Sequence, residues 1–175
     1  MSMDFVRADL EQHRDVLTRF NIEYFEWADA SIRKYFGHSL PSVLGMAIPD
    51  YVHSALDKLC GGSPPDGIFY VVFDGETALG MGGLRRVRDT IGEIKRIYVS
   101  RESRGEGLGA QITDRLLNDA RSFGYRELLL DTGPFMTSAH RIYEAAGFED
   151  VAPYPEAEVP EGLRHDWRFM RCQLS

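Results

Sequence analysis

Six consecutive residues, Arg104-Gly105-Glu106-Gly107-Leu108-Gly109, carry the clearest chemical signal in the chain. They follow a strand-like stretch from Gly92 to Val99 and precede a stripe of Leu108, Ile112, Leu116, Ala120 and Phe123. That spacing predicts a strand, a tight loop and an amphipathic helix. Amides at a helix start have no intrahelical acceptor, and the helix dipole there is positive. Gly105, Gly107 and Gly109 remove Cβ atoms, so the backbone can curl around an anion, and Arg104 can add a charge-assisted contact. A diphosphate is the natural occupant of such a loop. On the loop alone, a tight turn that binds nothing remains open. Two other phosphate-binding loops fit poorly. A P-loop ends in Gly-Lys-Ser/Thr, which is missing here. A dinucleotide fingerprint needs G-x-G-x-x-G, whereas this loop reads G-x-G-x-G, and too little chain follows Asp131 for the rest of a doubly wound sheet.

The elements that must position this loop divide into two halves. The first half reads as helical after a short strand near Phe5-Val6-Arg7. Val16, Leu17, Phe20, Ile22, Tyr24, Phe25 and Trp27 keep helical spacing from about Leu10 to Ala30, with an interruption near Asn21 that suggests a kink or two helices. Gly37 to Pro49 reads as loop, and Val52, Ala55, Leu56 and Leu59 mark another helix from about Asp50. The second half changes character. Gly67 to Phe73 is strand-like, and Asp74-Gly75 supplies a tight hairpin into a strand from Thr77 to Val87. With Gly92 to Val99 these make an antiparallel meander. Gly124 ends the helix after the glycine loop, and Glu127 to Leu130 is a strand parallel to the one before it, because a strand-helix-strand run of this length demands a crossover. A helix starts at Thr137 or Ser138 and stops at Gly147, Phe148 to Val151 is extended, and Trp167 to Leu174 is a terminal strand. The expected fold is α/β (α+β): an antiparallel N-terminal meander joined to a parallel βαβ unit in one mixed sheet, with helices on both faces.

Composition suits one domain spanning residues 1–175. Hydrophobic residues make up 43% and charged residues 27% of the chain. A domain this long buries roughly 70% of its unfolded surface, so it needs no disulfide framework. Cys60 and Cys172 match no metal-ligand spacing, and no metal is expected. No signal peptide is visible and no apolar run approaches bilayer-spanning length, so a cytoplasmic protein is the default expectation. The net charge of −7 argues against nucleic-acid and anionic-membrane partners and suits a cationic acceptor.

Three segments together resemble a known family. Arg104-x-x-Gly107-x-Gly109 is similar to the Q/R-x-x-G-x-G/A signature of the GNAT superfamily of N-acetyltransferases. Glu93-Ile94-Lys95-Arg96-Ile97-Tyr98-Val99 resembles that family's central strand, and Ala139 to Phe148 resembles its A-x-x-x-Y-x-x-x-G-F segment. The resemblance covers Gly67 to Val151 well and the chain ends only by general layout. It implies a GNAT-type mixed sheet and acetyl-coenzyme A as co-substrate. The implied cofactor-binding residues are Ile97, Tyr98 and Val99 on the strand, whose backbone pairs with pantetheine, and Arg104, Gly105, Glu106, Gly107, Leu108, Gly109 and Ala110, whose amides hold the diphosphate.

It further implies that Tyr143 is the general acid; an amphipathic-helix residue packed on the core is the plainer alternative. A phenol has a reference pKa of ~10 and can protonate a departing thiolate at neutral pH. Glu93 matches the strand carboxylate that serves as base in histone-acetylating relatives; a solvated strand residue is the plainer alternative. His140, His165 or a water molecule are other candidate bases. Many relatives carry Asn seven residues before the tyrosine, where this chain has Met136. The Asp131-Thr132-Gly133-Pro134 turn lies beside the expected pocket. Tyr24, Phe25, Trp27, Glu23 and Glu26 fit either an acceptor-binding wall or the two faces of one helix, and Pro153 to His165 could face them. The expected activity is transfer of an acetyl group to a primary amine of a small molecule by direct attack in a ternary complex. A protein or peptide N-acetyltransferase and a non-catalytic acyl-coenzyme-A-binding module are the alternatives. Dimers are common among such relatives, so a homodimer is compatible with the resemblance.

Overall fold

The computed structural model, which describes residues 2–175, opens with strand β1 (Asp4–Arg7) and a 27-residue helix α1 (Leu10–Phe36). Two further helices follow, α2 (Leu40–Leu44) and α3 (Ile48–Cys60). The meander comprises β2 (Gly67–Asp74), β3 (Thr77–Arg88) and β4 (Ile91–Val99). A 3₁₀ turn over Arg101–Ser103 leads through the glycine loop to α4 (Leu108–Ser122). Then come β5 (Glu127–Thr132), α5 (Thr137–Ala145), β6 (Glu149–Asp150), α6 (Glu161–Arg164) and β7 (Arg168–Gln173). Among the described residues these strands form one mixed sheet in the order β1-β2-β3-β4-β5-β7-β6. The β4–β5 pair is parallel and the others are antiparallel. No helix among the described residues is long and apolar enough to cross a membrane.

The N-terminal half differs from the sequence expectation in two places. Helix α1 is unbroken and runs six residues past Ala30, from an Asp9 cap whose carboxylate accepts from the Glu11 amide to Gly37 in the left-handed region. Asn21 does not interrupt it, because its amide donates to the Leu17 carbonyl one turn back, at 2.8 Å, and is buried where no water competes. The segment Gly37 to Pro49 is not simply loop. Ser39 caps α2, and α3 begins before Pro49, which occupies the first turn where its missing N–H costs nothing. The terminal strand β7 pairs along the whole of β5, whereas the Phe148–Val151 expectation contracts to the two residues of β6.

Both faces of the sheet are covered. Alternate residues of β2 divide between two cores: Ile68, Tyr70 and Val72 meet Leu108, Ile112 and Leu116 of α4, while Phe69 and Val71 meet Leu17, Phe20 and Leu56 of α1 and α3. Helix α4 lies so close to β3 that a Cβ on Gly82 would sit 2.6 Å from Ile112 Cγ2. Leu116 is fully buried, and Leu116→Ala would cost about 2–5 kcal/mol by transfer plus cavity terms. This packing clamps the N-terminus of α4 over the C-terminal end of β4.

Candidate active site

The site starts from a split between two strands. β4 and β5 pair only over Ile91–Glu93 and Glu127–Leu129, after which no pairing continues. A bulge helps to drive β4 away. Met81 of β3 faces Tyr98, but Gly83 faces Lys95, so β4 carries an extra residue between them. Arg96 occupies this stretch with φ of 53°, in the left-handed region that a non-glycine residue adopts at a cost of about 1–3 kcal/mol. Bulges of this kind re-aim side chains and end pairing beside functional sites.

The split opens a cleft of about 500 Å³ whose walls are β4, the glycine loop, the end of β5 and α5. Ile97, Tyr98 and Val99 line it, as do Arg104, Gly105, Gly107, Leu108 and Gly109. Glu106 and Ala110 do not; Glu106 is exposed on the outside of the loop. Gly105 and Gly107 have φ of 85° and 79°, and a Cβ on either would meet nothing within 4 Å. The first helical hydrogen bond of α4 runs from the Gln111 amide to the Gly107 carbonyl, 3.1 Å. The amides of Leu108, Gly109 and Ala110 therefore have no helical acceptor. This is a cradle for an oxyanion, and it fits the diphosphate of coenzyme A. Arg104 is folded against the strand, with Nε donating to the Val99 carbonyl at 3.1 Å.

Alternation along β4 separates the functions of its side chains. Tyr98 contributes backbone to the cleft, but its ring packs 5.3 Å from that of Phe20 on the opposite face. Its hydroxyl donates to Glu23 at 2.7 Å, and burial followed by that bond pushes the phenol up to about 12. Tyr143, near the end of α5, does line the cleft. Its ring is buried beside Phe148, with centroids 5.9 Å apart. Burial, then the neighbouring Tyr24 and Asp131, hold its phenol well above the usual value, so it carries a proton throughout the neutral range.

Glu93 lies elsewhere. It is 0% exposed, below the split, and does not line the cleft. Arg85 grips its Oε1 at 2.8 Å, Tyr154 donates to its Oε2 at 2.6 Å, and Lys95 stands 3.5 Å away. Arg85 and Lys95 also reach Glu158, at 3.1 and 3.3 Å. With its oxygens engaged and no solvent contact, this carboxylate is poorly placed to accept a proton from an amine in the cleft. His140 and His165 are outside the lining as well; His140 Nε2 is 2.9 Å from the Gly133 carbonyl, and burial lowers its imidazole pKa.

Several cleft residues escaped the sequence reading. Arg96, Ser103, Thr137 and Ile142 line it; Arg96 and Ile142 lie within two of the family segments but were given no role there. Asp131 and Thr132 line it too, from the turn expected beside the pocket. Met136 fills the position where many relatives carry Asn and forms part of the wall; Thr132 Oγ1 is 3.5 Å from its sulfur. Tyr24 and Trp27 of α1 border the cleft, whereas Glu23 is occupied by Tyr98. A smaller chamber of about 60 Å³ adjoins it and shares Tyr24, Arg96, Asp131 and Met136. Val159, Pro160 and Leu163, from the segment that includes α6, close its far side.

The split strands, the amide cradle and a protonated phenol on one cleft define a domain built for acyl transfer from coenzyme A. The sequence profile of the Acetyltransferase (GNAT) family matches residues 23–148, and the chain belongs to that family. It is an acyl-coenzyme-A-dependent N-acyltransferase. An uncharacterized N-acetyltransferase of Bacillus subtilis (strain 168), YsnE, is 29% identical over 120 residues, covering 67% of this chain and 78% of that one. An IAA acetyltransferase of Azospirillum brasilense is 32% identical over 91 residues, covering 51% of this chain and 60% of that one. Among solved structures, a GNAT-family acetyltransferase from Staphylococcus aureus Mu50 aligns with a TM-score of 0.73 at 17% identity, covering 99% of this chain and 100% of its own. The PaiA N-acetyltransferase from Thermoplasma acidophilum, in complex with coenzyme A, aligns with a TM-score of 0.70 at 16% identity, with 99% of each chain covered. These two likenesses show the fold.

Proposed function

We propose that this chain is a single acetyltransferase domain, working in the cytoplasm, that moves the acetyl group of acetyl-coenzyme A onto a primary amine of a small molecule by direct attack in a ternary complex. The observation that carries this reading is the β4–β5 split, which puts the amide cradle and the Tyr143 phenol on one cleft. The loop amides and helix dipole of α4 hold the diphosphate. The edge of β4 near Ile97 and Val99 that β5 leaves unpaired takes the pantetheine as an added strand would, and an amide there stabilises oxyanion charge as the tetrahedral centre forms. As the amine forms its C–N bond and the C–S bond breaks, Tyr143 donates its proton to the departing thiolate. Its raised pKa suits it to that role and not to serving as a base. Asp131 is the carboxylate on the shared wall, and it takes the amine's proton directly or through water. Glu93 becomes an anchor that locks β3, β4 and Tyr154 together. The narrow chamber favours a small acceptor over a protein tail.

The test is thiol release from acetyl-coenzyme A across a broad panel of small amines, with a mass measurement of the product. Acetylated amine is the expected result. Release without acetylated product, or no release while coenzyme A binds, would favour a non-catalytic binding module instead.

A further inference from the structure

Arg96 stands on the wall common to three cavities. It lines the 500 Å³ cleft, the 60 Å³ chamber, and a third space of about 550 Å³ between α3 and the sheet. The bulge in β4 aims it there. Its guanidinium carbon lies 4.4 Å from the centroid of Phe25 and 5.8 Å from that of Tyr24, so two rings of α1 hold the head in place. Yet its Nε is buried with no hydrogen-bond partner among the described residues. The neighbouring cation, Lys95, is committed to Glu93 and Glu158. Asp131 shares the wall with Arg96 but accepts instead from Trp167 Nε1, at 3.0 Å. A stacked guanidinium with an unsatisfied buried donor is costly to keep unless an acceptor meets it in use. Its planar guanidinium lines the cavities and matches a carboxylate, which two of its nitrogens can grip together.

We infer that Arg96 binds a carboxylate of the acceptor while Asp131 receives the ammonium end, so that the substrate class is a small primary amine that also bears a carboxylate. This rests on the transferase reading above and narrows it. The two charges on one wall are of opposite sign and not engaged with each other, which suits a zwitterion better than a simple cationic amine. The net negative charge of the chain suggests the simple amine; the charges that line the chamber outweigh that global quantity, because a ligand in a cavity meets them through little solvent.

The experiment uses decarboxylation-matched pairs with the purified protein and acetyl-coenzyme A: tyrosine and tyramine, leucine and isoamylamine, ornithine and putrescine. A short peptide with a free N-terminus distinguishes a peptide source of the same chemistry. The carboxylate-bearing free amine should lead its partner by at least about tenfold in kcat/KM, since a site built to pair a polar group rejects the analogue that lacks it. R96Q should lower that member's kcat/KM by about a hundredfold, mainly through KM, and the plain amine's by less than about threefold. R96K should recover part of the loss, and should be read for the same split where R96Q melts early. Equal turnover of the pair, preference for the peptide, or equal loss on both members in R96Q would overturn the assignment while leaving the transferase reading standing. If no amine is turned over, the transferase reading fails, and the Arg96 site is judged by isothermal titration of the N-acetyl amino acids into the coenzyme A complex. Binding that R96Q abolishes upholds the site; binding that R96Q leaves unchanged overturns it.

Discussion

Two stretches of β4, three residues apart, behave as different materials. At Glu93 the strand is still paired with β5, and the carboxylate is fully buried among Arg85, Tyr154 and Lys95. At Arg96 the pairing has ended, and a charged group stands on a cavity wall with its Nε unpartnered. Both are charged residues of one strand. What separates them is the point at which the sheet opens. Below it every polar group must be satisfied within the protein, because burial without a partner is costly. Above it the backbone and side chains can be satisfied by substrate. The lesson is that charge in a central strand marks function only where the sheet stops pairing.

The largest test of this division is Tyr143→Phe. If the phenol above the split is the acid, kcat should fall by about 10²–10⁴-fold, the usual worth of a positioned proton donor. Affinity for coenzyme A, measured by titration calorimetry, should hold within about twofold, since the proposed diphosphate contacts are main chain. A loss in kcat smaller than about tenfold would remove Tyr143 from the chemistry.

Glu93→Ala tests the other side. Stripping one partner from a buried ion pair costs about 3–5 kcal/mol, which urea unfolding would register. Glu93→Gln keeps the shape and the bond from Tyr154, so its folded fraction should retain turnover with an unchanged pH profile. The comparison breaks if Glu93→Gln folds normally but loses more than about a hundredfold in kcat and flattens the profile, the signature of a missing base.

A smaller effect is expected at the cradle. Gly107→Ala forces a Cβ into the left-handed region at a cost of about 1–2 kcal/mol, although the space beside it is open. Melting temperature should drop modestly and coenzyme A should bind several-fold more weakly. A Cβ tolerated without either change would mean that the loop does not need this backbone angle.

The smallest effects are those of pH. Burial raises the Glu158 pKa, but Lys95, Arg85 and Lys58 outweigh it and hold the carboxyl at about 2. A carboxylate depressed in the folded state stabilises above its ordinary value near 4.5, and that contribution is lost as pH falls toward 2. The urea midpoint should decline over this window in the native protein and less in Glu158→Gln. At the other end, the raised Tyr143 phenol predicts no alkaline fall in kcat below about pH 10. A fall near pH 9 would assign the acid to another group.

Much of this architecture was legible from residue patterns. The hairpin at Asp74-Gly75, the glycine loop before α4 and the Gly124 stop each depend on local backbone demands, which a sequence states directly. Asn21 was misleading because its solvation is a tertiary matter: in water it competes with the helix, and against β3 it cannot. Pro49 misled for a related reason, since a proline at a helix start and one in a loop look alike without the cap. The glycine loop on the cleft wall was also readable, because a tight strand-to-helix turn with left-handed residues calls for glycine.

By itself, then, the sequence determined the family, most of the strands and main helices, and the glycine loop before α4, all properties of contiguous segments with a local physical cause. Only the tertiary structure decided which β4 charges line a cavity and which are sealed in the core. That depends on where β4 leaves β5, on the bulge at Arg96 and on the partners that Glu93 draws from β3, eight residues away at Arg85, and from Tyr154, 61 residues away. Distance along the chain carries no trace of them, whereas burial and pairing in the folded protein do.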